Sequence, residues 1–223
     1  MKKRLLAVGD SFTYGDELSD IHNAWPYKLA NLINYDVVNL GQSGCSNTSI
    51  LRRTIVELSG IANEKYDLVV VGWTSAGRVE WKDDIGVEYD LWPGYSGKSK
   101  FFHDHPWRND WLTYINKYHN SEYLYQQYLV NVISLQSYLK ANNIPYVMLN
   151  IVNNEYYRSS SLKGLGYLAN EIDKNNFPGW DNYGMAEIAG SCPKGPGGHP
   201  LELGHQRIAE NINEHIRNIS RLP

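Results

Sequence analysis

Four short runs of apolar, mostly β-branched residues punctuate the chain: Leu5–Val8, Val37–Leu40, Leu68–Val71 and Tyr146–Ile151. Each is nearly continuous rather than alternating, which is the pattern of strands buried on both faces. Between and after them lie segments whose apolar residues recur three or four apart, the period of a helix with one buried face. These are "AWPYKLANLI", "NTSILRRTIVEL", "SEYLYQQYLVNVISLQSYLKANN" and "LELGHQRIAENINEHIRNI", the last with Ile208, Ile212 and Ile216 on one stripe. Ser46, Asn47 or Thr48 supplies the cap of the second. The third starts at Ser121 and must stop before Pro145, because proline cannot continue a helix. Strands alternating with helices predict right-handed crossovers and a parallel sheet covered on both faces. Two stretches break the pattern. Residues 75–120 read as an irregular insertion rich in Gly, Trp, Tyr and His, and residues 153–198 as a second one ending in "CPKGPGGHP". Loops of that length in a compact domain are usually functional or mobile.

The ends of the predicted strands carry the candidate chemistry. Open parallel sheets bind ligands beyond the carboxyl ends of their strands. Gly9-Asp10-Ser11 follows the first run, "NLGQSG" the second, "GWTSAGR" with Thr74 the third, and Asn150, Asn153 and Asn154 the fourth. His199, in "GGHP", stands just before the final helix. A serine, a histidine and glycines with accessible N–H groups are the parts of acyl transfer. A serine hydroxyl needs a base to take its proton, and the oxyanion needs preorganised donors.

Composition narrows the picture. The 223 residues suit one domain, and 42% hydrophobic residues suffice for one sizeable core. A net charge of −3 without basic blocks argues against nucleic acid as the main partner. The apolar run of "MKKRLLAVGDS" is too short for a signal peptide, and no run approaches the ~20 residues of a membrane span. The reading is a soluble cytoplasmic protein with no membrane partner, with a viral or otherwise released protein as the alternative. Cys45 and Cys192 make no disulfide framework and read as free thiols. His103, Asp104 and His105 in "HDHPW" lack a matching second cluster, so no metal is expected. "PKGPGG" lacks the order of a phosphate loop. Aromatic residues make up 13% of the chain, with 17 Tyr and 7 Trp, and many fall between residues 73 and 128.

"GDSFTYG" resembles the first sequence block of the SGNH hydrolases, also called GDSL esterases. "NLGQSG" is similar to their second block. "HPLELGHQRIAENI" resembles their last, in which a catalytic His is followed by Pro and then by the Gly-His that opens the terminal helix. The blocks stand in the family's order and span residues 5 to about 212. The resemblance implies a three-layer αβα sandwich with a flavodoxin-like parallel sheet, and hydrolysis of carboxylic esters without a cofactor. Carried onto this chain, it makes Ser11 the nucleophile and His199 the general base. The N–H groups of Ser11 and Gly41 and the hydroxyl of Thr74 become the oxyanion hole. In two places the chain departs from the family. Thr74 stands where the third block has Asn, and Pro196 where an Asp usually precedes the His by three residues. A Ser–His dyad is therefore expected, with a backbone carbonyl orienting His199. An atypical triad using Glu202 or Glu155 is the alternative.

The remaining expectations are more local. Asp10 fixes the turn through hydrogen bonds, and His205, inside the first turn of the last helix, is structural. Trp81, Trp92 and Trp107 belong either to a small satellite core that folds the insertion down or to a lid over the substrate. The substrate is a small-molecule or glycan ester, such as an O-acetylated carbohydrate. Two other functions use the same parts: a non-catalytic ligand-binding protein on this fold, and an acyltransferase using the same serine.

Overall fold

A computed structural model describes residues 2–60, 65–82, 86, 88–92, 108–154, 165–180 and 182–219, apart from the side chains of residues 88 and 89. The elements that position the site are strands β1 (Arg4–Gly9), β2 (Asp36–Gly41), β3 (Leu68–Trp73) and β6 (Tyr146–Asn150), with a hairpin of β4 (Val79–Lys82) and β5 (Glu88–Leu91) inserted after β3. The helices are α1 (Ser11–Tyr14), α2 (Trp25–Ile33), α3 (Asn47–Leu58), α4 (Arg108–Lys117), α5 (Ser121–Ala141), α6 (Met185–Ala189) and α7 (Glu202–Ile219).

The four apolar runs form one parallel sheet in the order β2-β1-β3-β6. Successive side chains of a strand face opposite ways, and the core divides accordingly. Leu6, Val8, Val69 and Val71 pack on one face with Ile50 of α3 and with Leu129, Val132 and Leu135 of α5. Leu5, Ala7, Val70 and Val147 pack on the other with Trp25 and Leu29 of α2, Met185 of α6 and Ile208 and Ile212 of α7. This is the three-layer αβα sandwich that the sequence predicts. All four predicted strands and all four predicted long helices are present. Ser46 is the cap of α3, its hydroxyl accepting the Ser49 N–H.

The insertion departs from the irregular loop expected of it. Among its described residues it contains the β4–β5 hairpin and α4, which close over a separate small core of Leu91 and Trp111 flanked by Trp81 and Tyr114. The second stretch holds α6 and a tight turn in which Lys194 bridges Pro200. Among the described residues, no helix is long and apolar enough to cross a membrane.

Candidate active site

The strand order creates the site. From β1 the chain crosses by α2 to β2 on one side, then by α3 to β3 on the other side of β1. The chain leaves β1 for the face covered by α2 and β3 for the face covered by α5, the switch in direction at which parallel sheets form binding crevices. Asp10-Ser11 leaves β1 there and Thr74 leaves β3.

Asp10 ties these two strand ends together. Its Oδ1 accepts the Phe12 N–H at 3.0 Å and so caps α1. Its Oδ2 accepts the Thr74 hydroxyl at 2.6 Å and pairs with Arg78 Nη1 at 3.0 Å. Asp10 is 2% exposed, so the charge is neutralised inside the protein. Asn47, at the start of α3, clamps the other strand end. Its Oδ1 accepts the Thr74 N–H at 2.9 Å, and its Nδ2 donates to the carbonyls of Thr74 and Ser75 at 3.2 Å. Ser11 opens α1 and is nearly buried. Neither its hydroxyl nor its N–H has a hydrogen-bond partner among the described residues.

His199 is carried by the turn from Lys194 to Pro200. The Gly195 N–H donates to the His199 carbonyl and the Gly198 N–H to the Gly195 carbonyl, each at 2.9 Å. The imidazole packs edge-on against Phe12, the residue after Ser11, with ring centroids 5.7 Å apart. Its Nδ1 lies 2.9 Å from Glu17 Oε2. Its Nε2 lies 4.0 Å from Asp16 Oδ2, and Asp16 accepts the Ser43 hydroxyl at 2.6 Å. Glu17 also accepts the N–H groups of Gly197 and His199, at 2.5 and 3.0 Å. These donors, the Gly197 amide foremost, hold the Glu17 carboxyl below the usual range.

Several expectations change at this level of detail. The Gly41 N–H donates to its neighbour Asn39 Oδ1 at 2.9 Å. A side chain at Gly41 would stand 2.2 Å from the Tyr14 nitrogen, so Gly41 lets α1 lie on the end of β2. Gly44, three residues on, has a φ of 78° and an N–H without a partner among the described residues. Thr74 turns its hydroxyl hydrogen to Asp10 and has no second one for an oxyanion. The group at His199 Nδ1 is the Glu17 carboxylate rather than a backbone carbonyl. Glu202 accepts the Ser19 hydroxyl at 3.4 Å, and Glu155 lies outside the described residues. Trp81 belongs to the satellite core, edge-on to Trp111 at 5.2 Å and to Tyr114 at 5.7 Å. Trp92 is exposed, and Trp107 lies outside the described residues, as do His103, Asp104 and His105. His205 is fully buried, and its Nδ1 accepts the Trp25 N–H at 3.1 Å. It thereby caps α2, whose own cap residue, Ala24, has no side-chain acceptor. Among the described residues, no group of three or more His, Cys, Asp or Glu is arranged to hold a metal.

Sequence reasoning missed Glu17 and Arg78, and it placed Gly44 beside Gly41 at the end of the second strand without giving it a role. Gly44 is separable from Gly41 only by its dihedral angle. Glu17 had a local signal, as the second of two acidic residues directly after the Ser11 block. A search confined to the residues around His199 passes over it. Beyond Arg78, a cavity of about 290 Å³ is lined by Asn47, Arg78, Trp81, Tyr114, Tyr128 and Asn131, among others.

The model of a family of unknown function, DUF6071, matches residues 13–223. No curated protein matches the chain. Solved structures do. An esterase, EstA, from Pseudoalteromonas sp. aligns with a TM-score of 0.56 at 14% identity, over 99% of this chain and 100% of its own. A member of the lipolytic protein G-D-S-L family from Veillonella parvula DSM 2008 aligns at 0.50 and 16% identity, over 99% and 100%. A carbohydrate esterase family 2 enzyme from Corynascus thermopiles aligns at 0.55 and 13% identity, over 100% of this chain and 68% of its own. At such identities the likeness is one of fold, and it is the fold that the sequence blocks imply. The chain belongs to the DUF6071 family of unknown function and is built on the SGNH hydrolase fold.

Proposed function

We propose that this protein is a serine ester hydrolase that removes small acyl groups from a hydroxyl-rich, carbohydrate-type substrate. The observation that carries the reading is a meeting of two distant segments. The serine block after β1 and the histidine block before α7 come together, so that His199 packs on the residue next to Ser11. In the reaction, Ser11 Oγ attacks the acyl carbon as its proton passes to His199 Nε2. The N–H groups of Ser11 and Gly44 receive the oxyanion. The alcohol leaves with the proton from His199. A water, deprotonated by the same nitrogen, then attacks the acyl-enzyme, releasing the acid and restoring Ser11. This oxyanion hole replaces Gly41 and Thr74 with Gly44, because the first two already spend their hydrogens inside the protein.

The cavity beyond Arg78 supports the substrate class. Its wall also carries the exposed ring of Tyr123 and the side-chain amides of Gln127 and Asn131, the kinds of group that meet the apolar face and the hydroxyls of a sugar. The carbohydrate esterase among the structural neighbours fits the same reading.

A fluorophosphonate probe with mass spectrometry tests the nucleophile. The adduct is expected on Ser11 alone, and Ser11→Ala is expected to abolish both the adduct and the hydrolysis of p-nitrophenyl acetate and acetylated oligosaccharides. A folded wild-type protein that takes no label between about pH 6 and 9, and hydrolyses none of these esters, overturns the proposal in favour of a binding protein. An acyl-enzyme that transfers to a glycan faster than to water turns it into an acyltransferase.

A further inference from the structure

We infer that Glu17 is the positioning carboxylate of His199, supplied by the loop that follows the nucleophile rather than by the loop that carries the histidine. This rests on the serine-hydrolase reading of Ser11 and His199.

The geometry is specific. One carboxylate receives three donors from the His199 turn: Nδ1–H at 2.9 Å, the His199 N–H at 3.0 Å and the Gly197 N–H at 2.5 Å. It therefore fixes the imidazole and the backbone that bears it in a single contact. To reach that place the chain reverses within three residues of α1. Gly15 caps the helix with φ 98°, and Glu17 itself adopts φ 67°, a left-handed conformation that costs a non-glycine residue. The partner loop is shaped to match. A side chain at Gly195 would meet Glu17 atoms at 2.5–2.7 Å, and one at Gly197 would meet them at 3.2 Å. Gly195 and Gly197 of "CPKGPGGHP" are thus the room that the Glu17 carboxylate occupies. They also account for Pro196, because the acid that this loop lacks arrives from elsewhere.

The chemistry follows from which nitrogen is held. A carboxylate at Nδ1 keeps the proton there, leaving the Nε2 lone pair to accept the Ser11 proton. When Nε2 takes that proton the ring becomes cationic, and the ionised Glu17 stabilises it without itself being protonated. The other titratable groups around the ring have partners of their own. Asp16, on the Nε2 side, is engaged by Ser43, and His205 accepts the Trp25 N–H and is held neutral by burial.

Two measurements on the full-length protein decide this. The first is nitrogen-15 NMR of the His199 ring, which needs no turnover. Wild type is expected to show the Nδ1–H tautomer with a hydrogen-bonded low-field proton, and Glu17→Gln to lose that proton signal. The second is kinetic. Glu17→Gln keeps the side chain's size and one acceptor oxygen for the N–H groups of the loop while removing the charge. It is expected to lower kcat about 10²–10⁴-fold with KM within about threefold. It is also expected to move the acidic limb of kcat/KM to lower pH, because the imidazolium loses the nearer of its two carboxylates and keeps only Asp16, at 4.0 Å. Glu17→Asp is expected to recover part of kcat. A wild-type Nε2–H tautomer overturns the inference, as does a folded Glu17→Gln with unchanged kcat and pH limb. If wild type hydrolyses no ester, the functional proposal fails while the NMR result still decides whether Glu17 holds His199.

Discussion

Thr74 shows how one hydroxyl hydrogen constrains the interpretation of a site. It lies at the end of β3, where a donor to the oxyanion is expected, yet the hydrogen goes to buried Asp10 at 2.6 Å. Its role is then to help Arg78 hold the carboxylate that caps the helix opened by Ser11. Thr74→Val removes the hydroxyl and keeps the shape. Losing a hydrogen bond to a buried charge is expected to cost about 1.5–3 kcal/mol of stability, read by denaturant unfolding, with kcat falling less than tenfold. An oxyanion donor would behave in the opposite way, losing about 10²–10³ in kcat with little change in stability. At this scale the sequence was only partly legible. Ser11 and His199 announce themselves because their neighbours are distinctive. The choice between Gly41 and Gly44, or between two possible acceptors for a threonine, depends on ångström-scale geometry that no residue name encodes.

Elements are where the sequence spoke most clearly. A buried strand and a one-sided helix each impose a local period, so β1, β2, β3, β6 and the four long helices could be read directly from it. The joints between elements could not be read this way, and His205 is one of them. Sitting in α7, it accepts the first N–H of α2, and its Nε2 is buried without a partner among the described residues. Burial foremost, with the charge of Lys28 adding to it, pushes its pKa down from the ordinary 6.5 to about 4. The folded state therefore binds the proton less readily than the unfolded chain. The stabilisation from neutral His205 is complete above about pH 6.5 and is lost as pH falls toward 4, an effect on the order of 3 kcal/mol. Unfolding free energies measured across that window are expected to fall less steeply for His205→Gln than for wild type. The same slope in both proteins would mean that other groups carry the acid sensitivity.

Over the whole molecule, stability is distributed unevenly. The sandwich has two large cores, one on each face of the sheet, while the insertion keeps its own around Trp111. Trp111→Ala is expected to cost about 3–5 kcal/mol within that satellite core. The loss is expected as faster amide exchange in β4, β5 and α4, with the main unfolding transition nearly unmoved. A single lowered transition would show instead that the insertion and the sandwich unfold together. The insertion's order was illegible in the sequence because its core is built from a few aromatic residues scattered over a long stretch, with too short a run to show a period. Glu17 was hidden for a different reason, since its partner lies at the far end of the chain.

That distance affects how the protein comes to life. The contact between Glu17 and His199 closes a loop of 182 residues. Almost everything between them must be in place before the two can meet, and such long-range closure comes late in folding. Helices and much of the sheet can form while the two halves of the candidate site still lie apart. Under the proposed function, a nascent or partly folded chain is therefore inert until the last helix docks.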